Sequence, residues 1–120
     1  MERLILKFLI VDDNKTFRET LTRFVKLDGD EVIECEDGNE APEAYLLHRP
    51  DWVLMDIHMK DVGGIQATAG IIAVDPQAKV VIVTDYGDKF FRRAAEKAGA
   101  VGFVVKDELS ELQLIVRRAK

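Results

Sequence analysis

The chain has 120 residues, of which 48% are hydrophobic and 32% are charged, and its net charge is −5. This length suits one domain with one hydrophobic core, and the acidic balance argues against a nucleic-acid surface, which would need a basic face. No apolar stretch approaches the roughly 20 residues of a membrane-spanning helix. The single cysteine, Cys35, excludes an intramolecular disulfide and favours a reducing compartment. We therefore expect one cytoplasmic domain, residues 1–120, that binds neither nucleic acid nor membrane directly.

Strand and helix patterns alternate along the chain. Five short segments rich in β-branched residues predict strands at Lys7–Val11, Glu31–Cys35, Trp52–Met55, Val80–Val83 and Gly102–Val105. After the first strand, apolar residues at helical spacing, starting at Phe17, predict the first helix. Weaker helical patterns at Ala41–Leu47 and Ile65–Val74 follow the second and third strands. Clearer ones, beginning near Phe91 and Leu109, follow the fourth and fifth strands.

Five strand–helix repeats predict an α/β fold in which a five-stranded parallel sheet is covered by helices on both faces. The common doubly wound, flavodoxin-like (βα)5 arrangement has the strand order 2-1-3-4-5. The first and third strands are then neighbours, and ligands bind outside the carboxyl ends of the strands where the order reverses. The residues that directly follow the strands are therefore the first candidates for a functional site.

Polar residues stand at the carboxyl ends of four predicted strands. Asp12 and Asp13 follow the first strand, Asp56 the third, Thr84 the fourth and Lys106 the fifth. Three carboxylates gathered in one pocket cannot all stay ionised without a cation, and a few oxygen ligands suit Mg²⁺ or Mn²⁺. Such a metal usually serves a phosphoryl group, whose remaining oxygens a hydroxyl and an ammonium can bind. The pattern therefore predicts a metal-assisted phosphoryl site.

The motifs that carry these residues resemble those of a known family. The stretches LIVDDN, VLMDIHM, VTDYG and GFVVKDE, in this order and spacing, are similar to the receiver domain of two-component response regulators, and the resemblance covers essentially the whole chain. It implies that Asp56 is the phospho-acceptor and that Thr84 and Lys106 are ligands of the phosphoryl group.

The same resemblance implies a metal site and a switch. Asp13, Asp56 and the backbone carbonyl of His58 would bind the metal directly, and Asp12 would support it through water. Phe103, three residues before Lys106, would be the aromatic switch residue that turns inward when Thr84 moves.

The function implied by the resemblance is a phosphorylation-dependent signalling switch that catalyses only its own phosphorylation and dephosphorylation. A histidine kinase or a phosphotransfer protein would supply the phosphoryl group. The surface formed by the fourth helix, fifth strand and fifth helix, near Phe91, Arg92 and Glu111, would then contact a second copy, an output domain or a partner protein. The stretch Lys106–Glu108 resembles the subfamily with LuxR-type output domains.

Less specific interpretations stay open for several of these residues. Asp12 and Asp13 could cap the first helix. Phe103 could be an ordinary core residue, and His58 could serve a phosphorelay or bind zinc. For the whole chain, one alternative is a Mg²⁺-dependent phosphohydrolase, and another is a receiver-like module that binds partners without being phosphorylated.

The sequence departs from the usual receiver pattern at three positions. Lys60 stands where a proline usually follows the methionine of the loop after the third strand. Asp107 stands where a proline usually follows the pocket lysine. Asp85 stands where a small residue usually follows the pocket threonine, and Tyr86 comes next, beside the pocket. These departures are the main support for the module that is not phosphorylated.

Overall fold

The computed structural model describes residues 4–59, 62–85, 87 and 89–117, so that Lys60 and Tyr86 lie outside the described residues. The strands are β1 Lys7–Val11, β2 Glu31–Cys35, β3 Trp52–Met55, β4 Val80–Thr84 and β5 Gly102–Val105. The α-helices are α1 Lys15–Val25, α2 Ala41–His48, α3 Gly64–Val74, α4 Lys89–Ala98 and α5 Glu111–Val116. Short 3₁₀ turns at Gly38–Glu40 and Lys106–Glu108 precede α2 and α5.

The five strands form one parallel sheet in the order β2-β1-β3-β4-β5, which confirms the predicted flavodoxin-like fold. Val11 pairs with Met55 at the carboxyl ends of β1 and β3, and Thr84 pairs with Val105 at the carboxyl ends of β4 and β5. Strand β4 is one residue longer than predicted, because Thr84 is its last residue. The residues that follow these four strands therefore emerge along one edge of the sheet.

The core lies on both faces of the sheet, because successive strand residues point to opposite sides. On one face, Leu9 and Met55 pack with residues of α2, α3 and α4. On the other face, Phe8 and Leu54 pack with residues of α1 and α5. All four of these strand side chains are completely buried. Cover on both faces explains why β1, β3 and β4 are nearly continuous hydrophobic runs in the sequence.

The loop after β3 is held tightly against the end of that strand. The Gly64 N–H, at the start of α3, donates a hydrogen bond to the Ile57 carbonyl at 2.8 Å. A Cβ atom at Gly64 would overlap the carbonyl oxygen of Asp56, so only glycine fits there. The close approach fixes the backbone around Asp56.

All peptide bonds between described residues are trans, including the bond from Lys106 to Asp107. None of the described helices combines the length and the apolar character that a bilayer crossing requires.

Candidate functional site

Three aspartates meet at the carboxyl edge of the sheet. One carboxylate oxygen from each of Asp12, Asp13 and Asp56 lies within 4.8 Å of the other two. The Asp12 N–H donates a hydrogen bond to the Cys35 carbonyl, and the Asp56 N–H donates one to the Val11 carbonyl, both at 3.0 Å. Parallel pairing thus continues beyond β1 and β3 and brings the acids that follow them together.

Helix α1 is capped by Asn14 and not by either of the preceding acids. The Asn14 side-chain oxygen accepts a hydrogen bond from the Phe17 N–H at 3.0 Å. Asp12 Oδ1 accepts a hydrogen bond from the Asn14 N–H at 2.8 Å. Asp12 Oδ2 is buried, and no described residue gives it a hydrogen bond. A buried carboxylate oxygen without a hydrogen bond is costly, so this oxygen favours the approach of a cation.

Lys106 reaches the acids from the end of β5. Its Nζ lies 3.6 Å from Asp12 Oδ2 and 3.8 Å from Asp56 Oδ1. The same nitrogen lies 4.0 Å from the centroid of the Phe17 ring, on the first turn of α1. Only 18% of the Lys106 side chain is exposed. One partly desolvated ammonium therefore faces two buried carboxylates.

The environment changes the protonation of these carboxylates. Burial, together with the charge of Asp12, raises the pKa of Asp56 to about 6, although Lys106 and the His58 N–H act in the opposite direction. Burial also raises the pKa of Asp12, against the lowering effect of the Asn14 N–H and Lys106. Both acids are thus held in a place that disfavours their charged forms.

Asp30, before β2, shows that burial alone does not produce this result. Desolvation acts on Asp30 too, but hydrogen bonds from the backbone N–H groups of Leu6 and Leu27, with the Arg117 guanidinium, outweigh it and lower its pKa to about 2. These two hydrogen bonds are both 2.9 Å long. Asp12 and Asp56, by contrast, each receive one backbone N–H and share the Lys106 ammonium at 3.6 and 3.8 Å, and these partners do not outweigh desolvation.

Thr84 lies at the same edge of the sheet. It is completely buried at the end of β4, and its partner Val105 directly precedes Lys106. Asp85 follows in an exposed turn. The structure therefore brings together the edge positions that the sequence predicted, with Asp85 at the outside.

His58 and Phe103 each contact helix α4. The His58 N–H donates a hydrogen bond to the Asp56 carboxylate. The exposed His58 ring contacts Phe91 of α4 edge-on, with 5.4 Å between the ring centroids. Phe103 is half-buried in β5, and the Arg92 guanidinium lies 4.6 Å from its ring centroid. A residue hydrogen-bonded to Asp56 and a residue of β5 therefore both contact α4 directly.

The sequence prediction missed Arg18 and the contact between Phe17 and Lys106. Arg18 is buried, donates a hydrogen bond to the Asp12 carbonyl at 2.7 Å and pairs with Glu34 at 2.7 Å. The sequence contained a signal for Phe17 and Arg18, because both lie on the first turn of the helix that follows Asp12 and Asp13. Phe17, however, also fits the apolar stripe of α1, and this pattern hid its second contact.

Comparisons with known proteins are consistent with this geometry. The family model described as "Response regulator receiver domain" matches residues 8–117. The chain is 41% identical over 103 residues to the chemotaxis protein CheY of Listeria monocytogenes, which covers 85% of this chain and 87% of CheY. It is 34% identical over 104 residues to the transcriptional regulatory protein DegU of Brevibacillus brevis, which covers 85% of this chain and 44% of DegU.

A solved structure gives the same fold. The crystal structure of a LuxR-family two-component response regulator from Aurantimonas sp. SI85-9A1 has a TM-score of 0.87 and 32% identity, over 94% of this chain and 86% of the other. The chain thus spans most of CheY and of this structure, but less than half the length of DegU.

The raised pKa of Asp56 predicts how the stability of the metal-free chain depends on pH. The folded chain binds a proton at Asp56 more readily than the unfolded chain does, so the contribution of Asp56 to the free energy of unfolding should fall as pH rises through about 4 to 6. We expect Asp56→Asn to remove this pH dependence and to stabilise the chain at pH 7 by about 3 kcal/mol. Urea unfolding with a chelator, from pH 4 to pH 8, measures the difference.

Asp30→Asn is the matched control, because the Asp30 carboxylate is buried but has a lowered pKa. This substitution should destabilise the chain at pH 7, since it weakens the pair with Arg117. The assignment would be contradicted by a loss of stability in Asp56→Asn similar to that in Asp30→Asn.

Proposed function

Because the chain belongs to the response regulator receiver domain family, we propose that residues 1–120 form a single receiver domain that acts as a phosphorylation-dependent switch. Asp56 is the phospho-acceptor, and a histidine kinase or a phosphotransfer protein supplies the phosphoryl group. The observation that carries the proposal is the group of three carboxylates within 4.8 Å of one another, beside the Lys106 ammonium. This group supplies a nucleophile, metal ligands and a cation for phosphoryl oxygens in one pocket.

The same residues fit a divalent cation. Receiver domains generally bind Mg²⁺ at an acidic pocket, and the buried Asp12 Oδ2 receives no hydrogen bond from the described part of the chain. We propose that Asp13, Asp56 and the His58 carbonyl bind Mg²⁺ or Mn²⁺ directly, and that Asp12 supports the ion through water. When bound, the ion supplies charge neutralisation for the acids and for the incoming phosphoryl group.

Phosphoryl transfer needs an ionised acceptor, and the pKa of about 6 leaves Asp56 mostly ionised at pH 7. An Asp56 oxygen attacks phosphorus in line, so that a new O–P bond forms while the bond from phosphorus to the donor nitrogen breaks. The electron pair of that bond stays on the nitrogen. Lys106 and Thr84 hold the phosphoryl oxygens. The chain therefore accelerates a change of its own state and is not an enzyme in the ordinary sense.

We propose that the output surface is the face formed by α4, β5 and α5. Large apolar side chains are exposed in or beside these elements, at Phe90, Val101 and Leu114. The Phe103 ring lies under the Arg92 guanidinium, so a movement of this ring would change its contact with α4. Phosphorylation then shifts the population between two arrangements of this face, and one of them binds a second copy, an output domain or a partner protein.

We also propose that the chain is a cytoplasmic protein. Cys35 is a buried free thiol whose Sγ donates a hydrogen bond to the Asp37 carbonyl at 3.1 Å, which suits a reducing compartment. The phosphohydrolase alternative is less well supported, because it calls for a second acid two residues after Asp56, where this chain has His58.

Labelling with a small phosphodonor tests the proposed acceptor. With Mg²⁺ and acetyl phosphate, we expect a labile adduct of one phosphoryl group that peptide mapping assigns to Asp56, and no adduct in Asp56→Asn. Lys106→Ala should still be labelled, but amide NMR shifts on α4 and α5 should no longer respond. An adduct on His58, Asp12 or Asp13 would contradict these roles. Turnover without an adduct would favour a hydrolase, and neither adduct nor turnover would favour the module that is not phosphorylated.

Metal titration tests the proposed ligands separately from phosphorylation. Amide NMR is more suitable than tryptophan fluorescence. Trp52 lies at the start of β3, whereas Asp56 lies beyond the other end of that strand. We expect weak Mg²⁺ binding in the original chain, none in Asp13→Asn and weakened binding in Asp12→Asn. Glu96→Gln, at an exposed position of α4, is the charge-matched control and should bind as the original chain does. Identical titrations for the original chain and Asp13→Asn would refute the assignment.

Asp85 should slow the approach of anionic phosphodonors. Its carboxylate is exposed in the turn directly after Thr84, where it repels a negatively charged donor at the pocket mouth. We expect Asp85→Ala to be labelled several-fold faster by acetyl phosphate at low ionic strength, and we expect this gain to shrink as salt screens the charge. Glu96→Ala should show no gain. An unchanged rate in Asp85→Ala at low salt would mean that this side chain does not affect the donor.

A further inference from the structure

The Lys106 ammonium has a third neighbour besides its two carboxylates. Its Nζ lies 3.6 Å from Asp12 Oδ2 and 3.8 Å from Asp56 Oδ1, and both distances exceed that of a normal hydrogen bond. The centroid of the Phe17 ring lies 4.0 Å away, well inside the range of about 6 Å for a cation–π contact. The ammonium is therefore held between two anions and an aromatic face, and neither carboxylate binds it with a short hydrogen bond.

Phe17 is itself held firmly. Its N–H donates a hydrogen bond to the N-cap residue Asn14 at 3.0 Å. Its half-buried ring packs against the core cluster that contains Phe8, Leu21 and Leu112. The ring therefore occupies a fixed place on the first turn of α1. Because only 18% of the Lys106 side chain is exposed, water screens the contact between ring and ammonium poorly.

From these contacts we infer that Phe17 is a positioning residue for Lys106, an inference that rests on the proposed function. A divalent cation at the acidic group would draw the carboxylates away from Lys106 and would repel the ammonium. The Phe17 ring carries no net charge and is not a metal ligand, so its attraction for Lys106 persists. The ring thus keeps the ammonium inside the pocket, at the place where the oxygens of an incoming phosphoryl group need a cation.

The experiment is a double-mutant cycle on the full chain. Phe17→Leu keeps an apolar side chain but removes the aromatic face, and Phe17→Tyr keeps that face. We expect Phe17→Leu to slow labelling of Asp56 by acetyl phosphate with Mg²⁺ about three- to tenfold, a range typical of a partly desolvated cation–π contact. Phe17→Tyr should restore most of the rate. In the Lys106→Ala background, Phe17→Leu should have no further effect, because the group on which the ring acts is absent.

A second measurement does not depend on phosphorylation or on metal. Protons above an aromatic face are shifted upfield in NMR spectra, so the Lys106 side-chain methylene next to Nζ should be shifted upfield in the metal-free chain. This shift should disappear in Phe17→Leu and persist in Phe17→Tyr. Phe24→Leu is the matched control: it makes the same change on the same helix at a partly exposed ring, and it should leave both the shift and the rate unchanged.

The outcomes are distinct. Equal slowing by Phe17→Leu with and without Lys106 would overturn the inference, because Phe17 would then act only by packing. Lys106 resonances that do not change in Phe17→Leu would also overturn it. If the original chain is not labelled at Asp56, the proposed function fails, and the metal-free resonances still decide whether the ring holds the ammonium.

Discussion

Two buried carboxylates brought face to face at the end of neighbouring parallel strands are the constraint on which the rest of the site depends. The hydrogen bond from the Asp56 N–H to the Val11 carbonyl continues the pairing of β1 and β3 and leaves the side chains little freedom to separate. The sheet order, with these two strands adjacent, therefore forces like charges together. Burial, together with this repulsion, raises the pKa of Asp56, and Lys106, which follows a third strand, brings an ammonium close to both carboxylates.

Another buried acid of the same fold, Asp30, does not carry this penalty, because its partners stabilise the carboxylate. Near the start of β2, Asp30 receives two backbone N–H groups and the Arg117 guanidinium, and its pKa is lowered. At the opposite edge of the sheet, Asp12 has an oxygen to which no described residue donates, and the Lys106 ammonium lies 3.6 Å from it, beyond hydrogen-bond distance. Asp30 is thus satisfied within the described chain, whereas Asp12 and Asp56 are suited to an outside cation. This contrast distinguishes an acid that stabilises the fold from acids whose partners within the described chain do not offset their burial.

Much of this could be predicted from the sequence because the relevant patterns are local or topological. Five strand–helix repeats predict the strand order, and the order brings Asp12, Asp13, Asp56 and Lys106 to one edge without knowledge of any side-chain contact. What could not be predicted depends on distance in space between residues far apart in the chain. Phe17 and Lys106 are separated by four strands and three α-helices, and only packed coordinates show that the ring contacts the ammonium. Asn14 was not predicted as the cap of α1, because Asp12 and Asp13 stand directly before it and Asp and Asn are equally good N-caps.

Charge balance connects the site to its switching. With all groups ionised, three aspartates and Lys106 sum to −2, and a divalent cation would bring the pocket to zero. Phosphorylation replaces the single negative charge of Asp56 by about two and adds oxygen acceptors. The neutral pocket would then become negative by about one charge, which would strengthen its attraction for the hydrogen-bond donors beside the acids. In the proposed switch, Thr84 and Lys106 are those donors. Thr84 is the last residue of β4, which leads to α4, and Lys106 directly follows β5, which leads to α5. In the proposed switch, a change of about one charge at the acids would be converted into a movement at the distant face through the two strands that lead to these donors.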